Sequence, residues 1–549
     1  MKTRFGIDLG TTYSAISWYD WANTCVELVD LDSADGLNTL RSAVYYEPGG
    51  GIVVGPAAHN AAKDQPDRVI TGAKRGMGEA WQTQEIDGKQ YSAEEVSCEI
   101  LKTLAQDTKP FAGVVEDVVI TVPAFFGDNQ KEATLRAGEL AGLNVLALLE
   151  EPHAAVLAFA IDRIEQVQDR HLLVYDLGGG TFDVALVRGA LEEVEVAEGP
   201  SGASTRRVGL ELKTVCCDGA RELGGLDWDK RLAELVRQKV LAETQHDPRA
   251  DPMDAAVLLD NCEKAKRDLG KLNSVEVVAD LQRHRATVTR AEFEESCADL
   301  LDETRQLLEN VLTIAEEDHA IPRDEIDVIL CGGSTRMPMV QDMVRAVMGK
   351  DGLEFKNPEL MVATGAAYAA HLYGASAVPG EGGPDEVGEE DRDVKTTDRS
   401  TGEKVEVTMG GGGLVRSFCK PVGVQSAAID ERGNLMRDEN GEVAWVNSVL
   451  IPGGGDFGEE SAREDTWETS EDGMTEIPVT LWEGDDTDLS KCRRLATVTI
   501  SQLPPDRPAG QQVRIRLWYD SNGIIKGEAT DLATETRVEI DIDRSKPLD

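Results

Sequence analysis

The sequence predicts an α/β domain followed by a small antiparallel β domain, and three observations carry that prediction. Over residues 1–375 short apolar runs alternate with helical stretches, the pattern of mixed sheets covered by helices. Within that stretch two strand–turn–strand segments echo each other. Over residues 414–549 short alternating runs dominate, with a hairpin signal at Asn522-Gly523.

Each element follows from its local pattern. The strand-like runs of the first region include Arg4–Leu9, Asp117–Val122, His171–Asp176 and Val328–Cys331; the helical runs include Gly127–Ala141, Pro152–Ile161, Trp228–Leu241 and Arg290–Glu316. The last region carries Glu476–Trp482, Leu495–Ile500, Val513–Tyr519, Ile524–Ala529 and Arg537–Ile542, and no long helix before Asp549. Between them, 376–413 reads as a flexible linker. Its stretch Glu381–Asp393 is acidic and Gly-rich, and four glycines follow Met409. Such a segment buries too little surface to offset its ordering entropy.

Composition narrows the function classes. With 56 basic and 101 acidic residues the net charge is −45, a surface that repels nucleic acid and anionic lipid. An anionic ligand must then be held by local dipoles and a few placed cations. The nine cysteines form no Cys-x-x-Cys pair, so scattered reduced thiols fit better than a disulfide framework or a zinc site. Cys216-Cys217 reads as two small residues in a strand. No apolar run reaches the ~18 residues of a membrane span, and the N-terminus enters a strand pattern at once. A cytoplasmic protein is expected.

The echoing segments are Phe5-Gly-Ile-Asp8-Leu-Gly10-Thr11-Thr12-Tyr13 and Tyr175-Asp176-Leu-Gly178-Gly179-Gly180-Thr181-Phe-Asp183. A turn of small residues lets backbone N–H groups approach phosphate oxygens. Threonine hydroxyls add donors, and a carboxylate on each turn can hold Mg²⁺ through water. Two facing turns of this kind would clasp a triphosphate from both sides. One such turn alone is an ordinary hairpin; two copies, each opening with Asp-Leu-Gly at a strand end, argue otherwise. Neither is a Walker or a Rossmann motif. A third turn, Gly332-Gly333-Ser334-Thr335-Arg336, follows a strand and precedes a helical run. Its backbone could pass under a purine, on which Arg336 could stack.

Together these residues resemble the actin/hexokinase/heat-shock ATPase superfamily, and more closely the seventy-kilodalton heat-shock (DnaK-like) chaperones. Val119-Ile-Thr-Val-Pro123-Ala-Phe-Phe-Gly-Asp128 is similar to their connecting segment, Glu150-Glu151-Pro152 to their Asn-Glu-Pro, and Leu223-Gly224-Gly225-Leu-Asp227 to their Leu-Gly-Gly-x-Asp. Glu263-Lys-Ala-Lys266-Arg267 resembles their adenosine-binding helix; Asn357-Pro358-Glu359 and Ala363–Ala367 resemble their closing helix. The resemblance runs in order over residues 4–372. It continues more weakly through Ile477–Gly484 and Val513–Ile524, similar to the family's peptide-binding β domain.

The resemblance implies an actin-like (ribonuclease H-like duplicated) two-lobed ATPase domain over 1–375 and a β-sandwich without the family's helical lid over 414–549. It implies ATP or ADP with Mg²⁺, and admits K⁺. Gly10, Thr11 and Thr12 on one turn and Gly178, Gly179, Gly180 and Thr181 on the other would hold phosphate, with Tyr13 also binding the nucleotide. Asp8, Asp176 and Glu151 would orient hydrated magnesium. Lys74 matches the family's catalytic lysine; Asp183 is the other candidate for positioning water. Gly224, Gly225, Glu263, Lys266, Arg267, Gly332, Gly333, Ser334, Arg336 and Glu359 would frame the nucleotide. Several positions depart from the family: Gly270 replaces a serine, Lys131 an arginine thought to relay nucleotide state with Pro123, and Glu150 an asparagine. The apolar linker run is missing, with Val405-Glu-Val407 its nearest trace. The implied partners are extended polypeptide segments, a J-domain co-chaperone and a nucleotide-exchange factor, with neither nucleic acid nor membrane. A second reading is a nucleotide-gated scaffold whose β domain binds one dedicated partner. A small-molecule kinase or a filament former fits the trailing β domain poorly.

Overall fold

The structure is a computed structural model that describes residues 3–375 and 393–540 except 21, 30, 32–37, 199–203, 353–356, 410–420, 430–434, 438–440, 454–457, 470–471, 485, 502, 504–505 and 521–522. It divides into two compact units, Met1–Leu414 and Val415–Asp549.

The first unit is built on two six-stranded sheets that repeat one connection pattern. In one, Phe5–Asp8 pairs antiparallel with Tyr13–Asp20 and parallel with Asp117–Val122, which pairs in turn with Asn144–Glu150. In the other, Arg170–Leu177 pairs antiparallel with Phe182–Glu198 and parallel with Ile326–Cys331. The echo between the two Asp-Leu-Gly segments is thus an echo of sheet topology. Each first strand carries a buried apolar run, Phe5–Ile7 and Leu172–Tyr175, as expected of strands buried on both faces.

Helices Glu151–Asp162 and Met361–Ala375 share one apolar cluster with residues of both sheets, among them Val119, Leu149, Leu172 and Ile329. Both helices are apolar on nearly every side, which suits burial rather than a surface. Glycine permits their closest approaches: a Cβ at Gly6 would lie 2.2 Å from Ala366 C, and one at Gly365 1.8 Å from Ala154 O. Glu151 is therefore carried on the first turn of a helix that packing holds in place. The expected helix over 290–316 is two helices, Arg290–Ser296 and Ala298–Glu317. Buried Cys297 separates them with φ −111° and ψ 8°.

The linker expectation needs correction. Residues 376–392 and 410–413 lie outside the described residues, but 393–409 is not a solvated tether. Lys404–Met409 pairs parallel with Ser204–Ala220, and Val394–Thr397 pairs antiparallel with it, extending the second sheet by two strands. Val394, Val405 and Val407 are buried. Arg207 grips Asp393 at 2.5 Å, and Thr396 Oγ1 donates to Ile161 O at 2.6 Å. Acidic composition hid three valines at the right spacing to face a core.

The second unit consists of two four-stranded antiparallel sheets. Ile477–Glu483 and Arg493–Ile500 lie in one; Gln512–Tyr519, Ile525–Asp531 and Arg537–Ile540 lie in the other. They share a core that includes Leu481, Ile500, Ile515, Leu517 and Ile540. The hairpin expected near Asn522-Gly523 joins Gln512–Tyr519 to Ile525–Asp531 with Gly523 at φ 68°, while Asn522 lies outside the described residues. No described helix is long and apolar enough to cross a membrane.

Candidate nucleotide site

The two Asp-Leu-Gly turns meet. A Cβ on Gly179 would lie 2.1 Å from Thr12 Oγ1, and one on Gly180 2.3 Å from Thr11 Cγ2, so this approach needs glycine. The second turn is closed by Gly178 N donating to Thr181 O at 3.1 Å, the first by Gly10 N donating to Ser14 Oγ at 3.2 Å. Further turns brace them. Gly225 N donates to Gly178 O at 3.0 Å, Leu226 N to Gly179 O at 2.8 Å, and Ser334 Oγ to Gly178 O at 2.9 Å. Gly224, Gly225, Gly332 and Ser334 are thus gathered around the second turn, Gly332 at φ 80° where a Cβ would lie 2.4 Å from Leu177 O and 2.5 Å from Asp176 Oδ1. Thr11 Oγ1 and Thr12 Oγ1 are buried without a hydrogen-bond partner. Buried hydroxyls rarely stay unsatisfied, and phosphate oxygens would supply their acceptors.

Buried Lys74 sits among the buried carboxylates of Glu151, Asp176 and Asp183 and the half-buried carboxylate of Asp8. Lys74 Nζ donates to Glu151 Oε1 at 2.5 Å, from the short turn Ala73–Gly76 whose N-cap Gly72 is left-handed at φ 69°. Burial pushes Asp8 up to about 7, with Glu151's charge adding to the rise and Lys74 and Thr121 opposing it. Asp176 is pushed to about 8, first by burial and then by Glu151 and Asp8. Asp183 is raised well above the usual range by burial, Glu151 and Asp176. Lys74 is raised despite burial, because Glu151, Asp8 and Asp183 favour its charged form. Four carboxylates against one ammonium suit a hydrated divalent cation, which would relieve their repulsion. The donor set therefore fits magnesium, which Asp8, Asp176 and Glu151 would hold. Asp183 accepts from Ala124 N at 3.0 Å, which ties the connecting segment after Pro123 to this cluster.

Beside the turns lies a second charged knot. Arg41 forks onto Glu263, Nη1 to Oε1 and Nη2 to Oε2 at 2.5 Å each. Its guanidinium lies 4.8 Å from the Tyr13 ring centre. Tyr13 Oη accepts from Arg41 at 2.7 Å and Arg267 at 2.5 Å and donates to Glu263 at 3.1 Å. Burial alone would raise Glu263, yet Arg41, Lys266 and Arg267 hold it down to about 2. Tyr13, Glu263 and Arg267 are thus brought together. Lys266 instead braces the fold, donating to Gly225 O at 2.8 Å and pairing with Asp229 at 2.9 Å. Arg336 is engaged by Glu359 at 2.7 Å with its side chain 55% exposed.

Two residues and one pairing escaped the sequence reading. Arg41 is one. Arg75 is another: its Nη2 donates to Gly180 O at 2.6 Å and its fork holds Asp227 at 2.5 Å, fastening the Lys74 turn to the second phosphate turn. Adjacency to Lys74 was the available signal. The third is a pairing: Lys131 Nζ lies 3.4 Å from Glu150 Oε1, both buried. Two departures from the family, read separately, are one ion pair.

A model of the Hsp70 protein family matches residues 4–87, 79–379 and 459–549. The chain belongs to the Hsp70 family. It is 30% identical to the chaperone protein DnaK of Thermosipho melanesiensis over 538 residues, 96% of this chain and 78% of that one. It is 31% identical to the chaperone protein DnaK of Thermosipho africanus over the same shares. Hsp70 membership carries the actin-like ATPase fold and a chaperone function with it. The family match passes over 380–458, which includes the two added strands of the second sheet.

Proposed function

We propose that this Hsp70 member binds and hydrolyses ATP at the meeting of the two Asp-Leu-Gly turns and couples nucleotide state to the grip of its β unit on extended polypeptide. The observation that carries this is Lys74 buried among Asp8, Glu151, Asp176 and Asp183 beside partnerless Thr11 and Thr12 hydroxyls. Backbone N–H groups of Thr11, Thr12 and Gly179–Thr181 cradle phosphate oxygens. The Lys74 ammonium steers the attacking water and stabilises charge on the transferring phosphoryl group, and Asp183 positions that water. Magnesium, when bound through Asp8, Asp176 and Glu151, neutralises charge on the phosphates. Tyr13, Glu263 and Arg267 meet the nucleoside, with K⁺ as an additional counterion.

Stimulation of hydrolysis by an apolar heptapeptide tests the coupling. Acceleration by the peptide, and again by a J-domain protein, supports the chaperone reading. A second reading, a scaffold with one dedicated partner, draws on residues 394–409: the expected apolar linker run is replaced by strands paired into the sheet. On that reading peptide leaves the rate unchanged.

A further inference from the structure

We propose that His246, Asp280 and His284, with Asp254 beside them, form a structural site for a transition-metal dication of the zinc class. The site lies apart in sequence from the phosphate turns. Asp280 and His284 flank the turn between strands Ser274–Val278 and Arg285–Thr289. His246 follows helix Gly225–Thr244, and Asp254 sits in the first turn of helix Pro252–Leu269. One ligating atom from each of His246, Asp280 and His284 lies within 4.8 Å of the others.

The His246 imidazole stands at ligand-to-ligand range from two carboxylates. His246 Nε2 is buried and has no hydrogen-bond partner, although Asp280 Oδ2 lies 3.3 Å away and Asp254 Oδ2 3.7 Å away. Tetrahedral zinc with bonds of about 2.0–2.2 Å sets neighbouring ligand atoms about 3.3–3.5 Å apart. His284 Nδ1 is hydrogen-bonded to the same Asp280 Oδ2 at 2.5 Å, a contact that an ion bound by both would open, so one carboxylate oxygen faces both imidazoles. The two rings stand 5.0 Å apart between centres.

The carboxylates are oriented from behind. Leu281 N donates to Asp254 Oδ1 at 2.9 Å, leaving Oδ2 towards His246. His284 N donates to Asp280 Oδ1 at 2.9 Å. Such outer contacts fix ligand geometry in metal sites. The residues before each histidine, Gln245 and Arg283, are left-handed at φ 59° and 68°. Asp280 is buried while both histidines remain about 30% accessible, which gives an ion a way in. Two imidazoles with carboxylate select zinc-class ions over Mg²⁺ and Ca²⁺, which take oxygen ligands. The ion would clip the hairpin turn to the start of the helix that carries Glu263, about 14 Å further along the axis.

The test uses the full chain, stripped with chelator and held in excess Mg²⁺ so that oxygen-only sites are occupied. Zinc is titrated against a chromophoric chelator. The expected result is one equivalent bound at micromolar affinity or tighter. His246→Ala and, separately, His284→Asn weaken it by about 10- to 100-fold. X-ray absorption of the zinc-loaded wild type should show only nitrogen and oxygen neighbours with imidazole scattering, a readout independent of how the variants fold. Absence of binding below about 100 μM, sulfur in the zinc shell, or equal affinity in folded variants overturns the proposal.

Discussion

Replacing Arg41 by methionine removes the guanidinium fork from Glu263 and leaves that carboxylate among Tyr13, Lys266 and Arg267. The magnitude can be worked from proton affinity. Glu263 falls from 4.5 to about 2 in the folded chain, which at about 1.4 kcal/mol per tenfold is about 3 kcal/mol of net preference for its charged form. Arg41 supplies the largest favourable share, so Arg41→Met should cost about 2 kcal/mol. That is less than the ~3–5 kcal/mol for stranding a buried charge, because Arg267 still reaches Glu263 at 2.9 Å. The double variant Arg41→Met with Glu263→Met should recover to within about 1 kcal/mol of wild type, since apolar replacement of a buried pair is often neutral. Hydrogen exchange of helix Pro252–Leu269 across a urea series reads this locally, whatever the rest of the chain does. A single-variant loss under about 0.5 kcal/mol, or additive losses in the double variant, would refute the reasoning.

The same knot has a pH signature. Glu263 is depressed, so the Arg41 contribution is fully present above pH 4.5 and fades as pH falls toward about 2. The difference in thermal midpoint between wild type and Arg41→Met should shrink over that interval and stay constant from pH 5 to 8; a difference that grows on acidification contradicts it. Val407→Asp places a charge where the side chain is buried in the sheet edge, and should cost about 3 kcal/mol with loss of amide protection over 404–409. Unchanged protection there would mean the strand is not held. Lys131→Met deprives Glu150 of its ammonium and should lower stability by about 2–4 kcal/mol in urea denaturation. Adding Glu150→Gln should restore most of it, and failure to restore speaks against the pair.

Much of the first unit was legible because its central strands carry buried apolar runs and terminate in turn chemistry that only a few folds use. Asp8, Lys74, Glu151, Asp176 and Asp183 were all readable from motifs, and the structure brings them into one cluster. Arg41 was not readable, since its partner Glu263 lies 222 positions away and a lone arginine before a strand looks like surface. The pairing of Lys131 with Glu150 was hidden for the same reason: pairing across elements leaves no periodic trace. Residues 394–409 were misread because the charge of Glu381–Asp393 dominated the window and masked Val394, Val405 and Val407. The histidine cluster was missed because His246 and Asp254 lie far in sequence from the Asp280–His284 turn they meet.

The central claim is that ATP is hydrolysed where the two turns meet, with Lys74 acting on the transition state. Single-turnover hydrolysis of pre-bound ATP by Lys74→Ala, alongside nucleotide affinity, tests it most directly. The account predicts a rate lower by about 100-fold or more, with ATP affinity within about tenfold of wild type. A rate within about threefold of wild type would remove Lys74 from the chemistry and contradict the account.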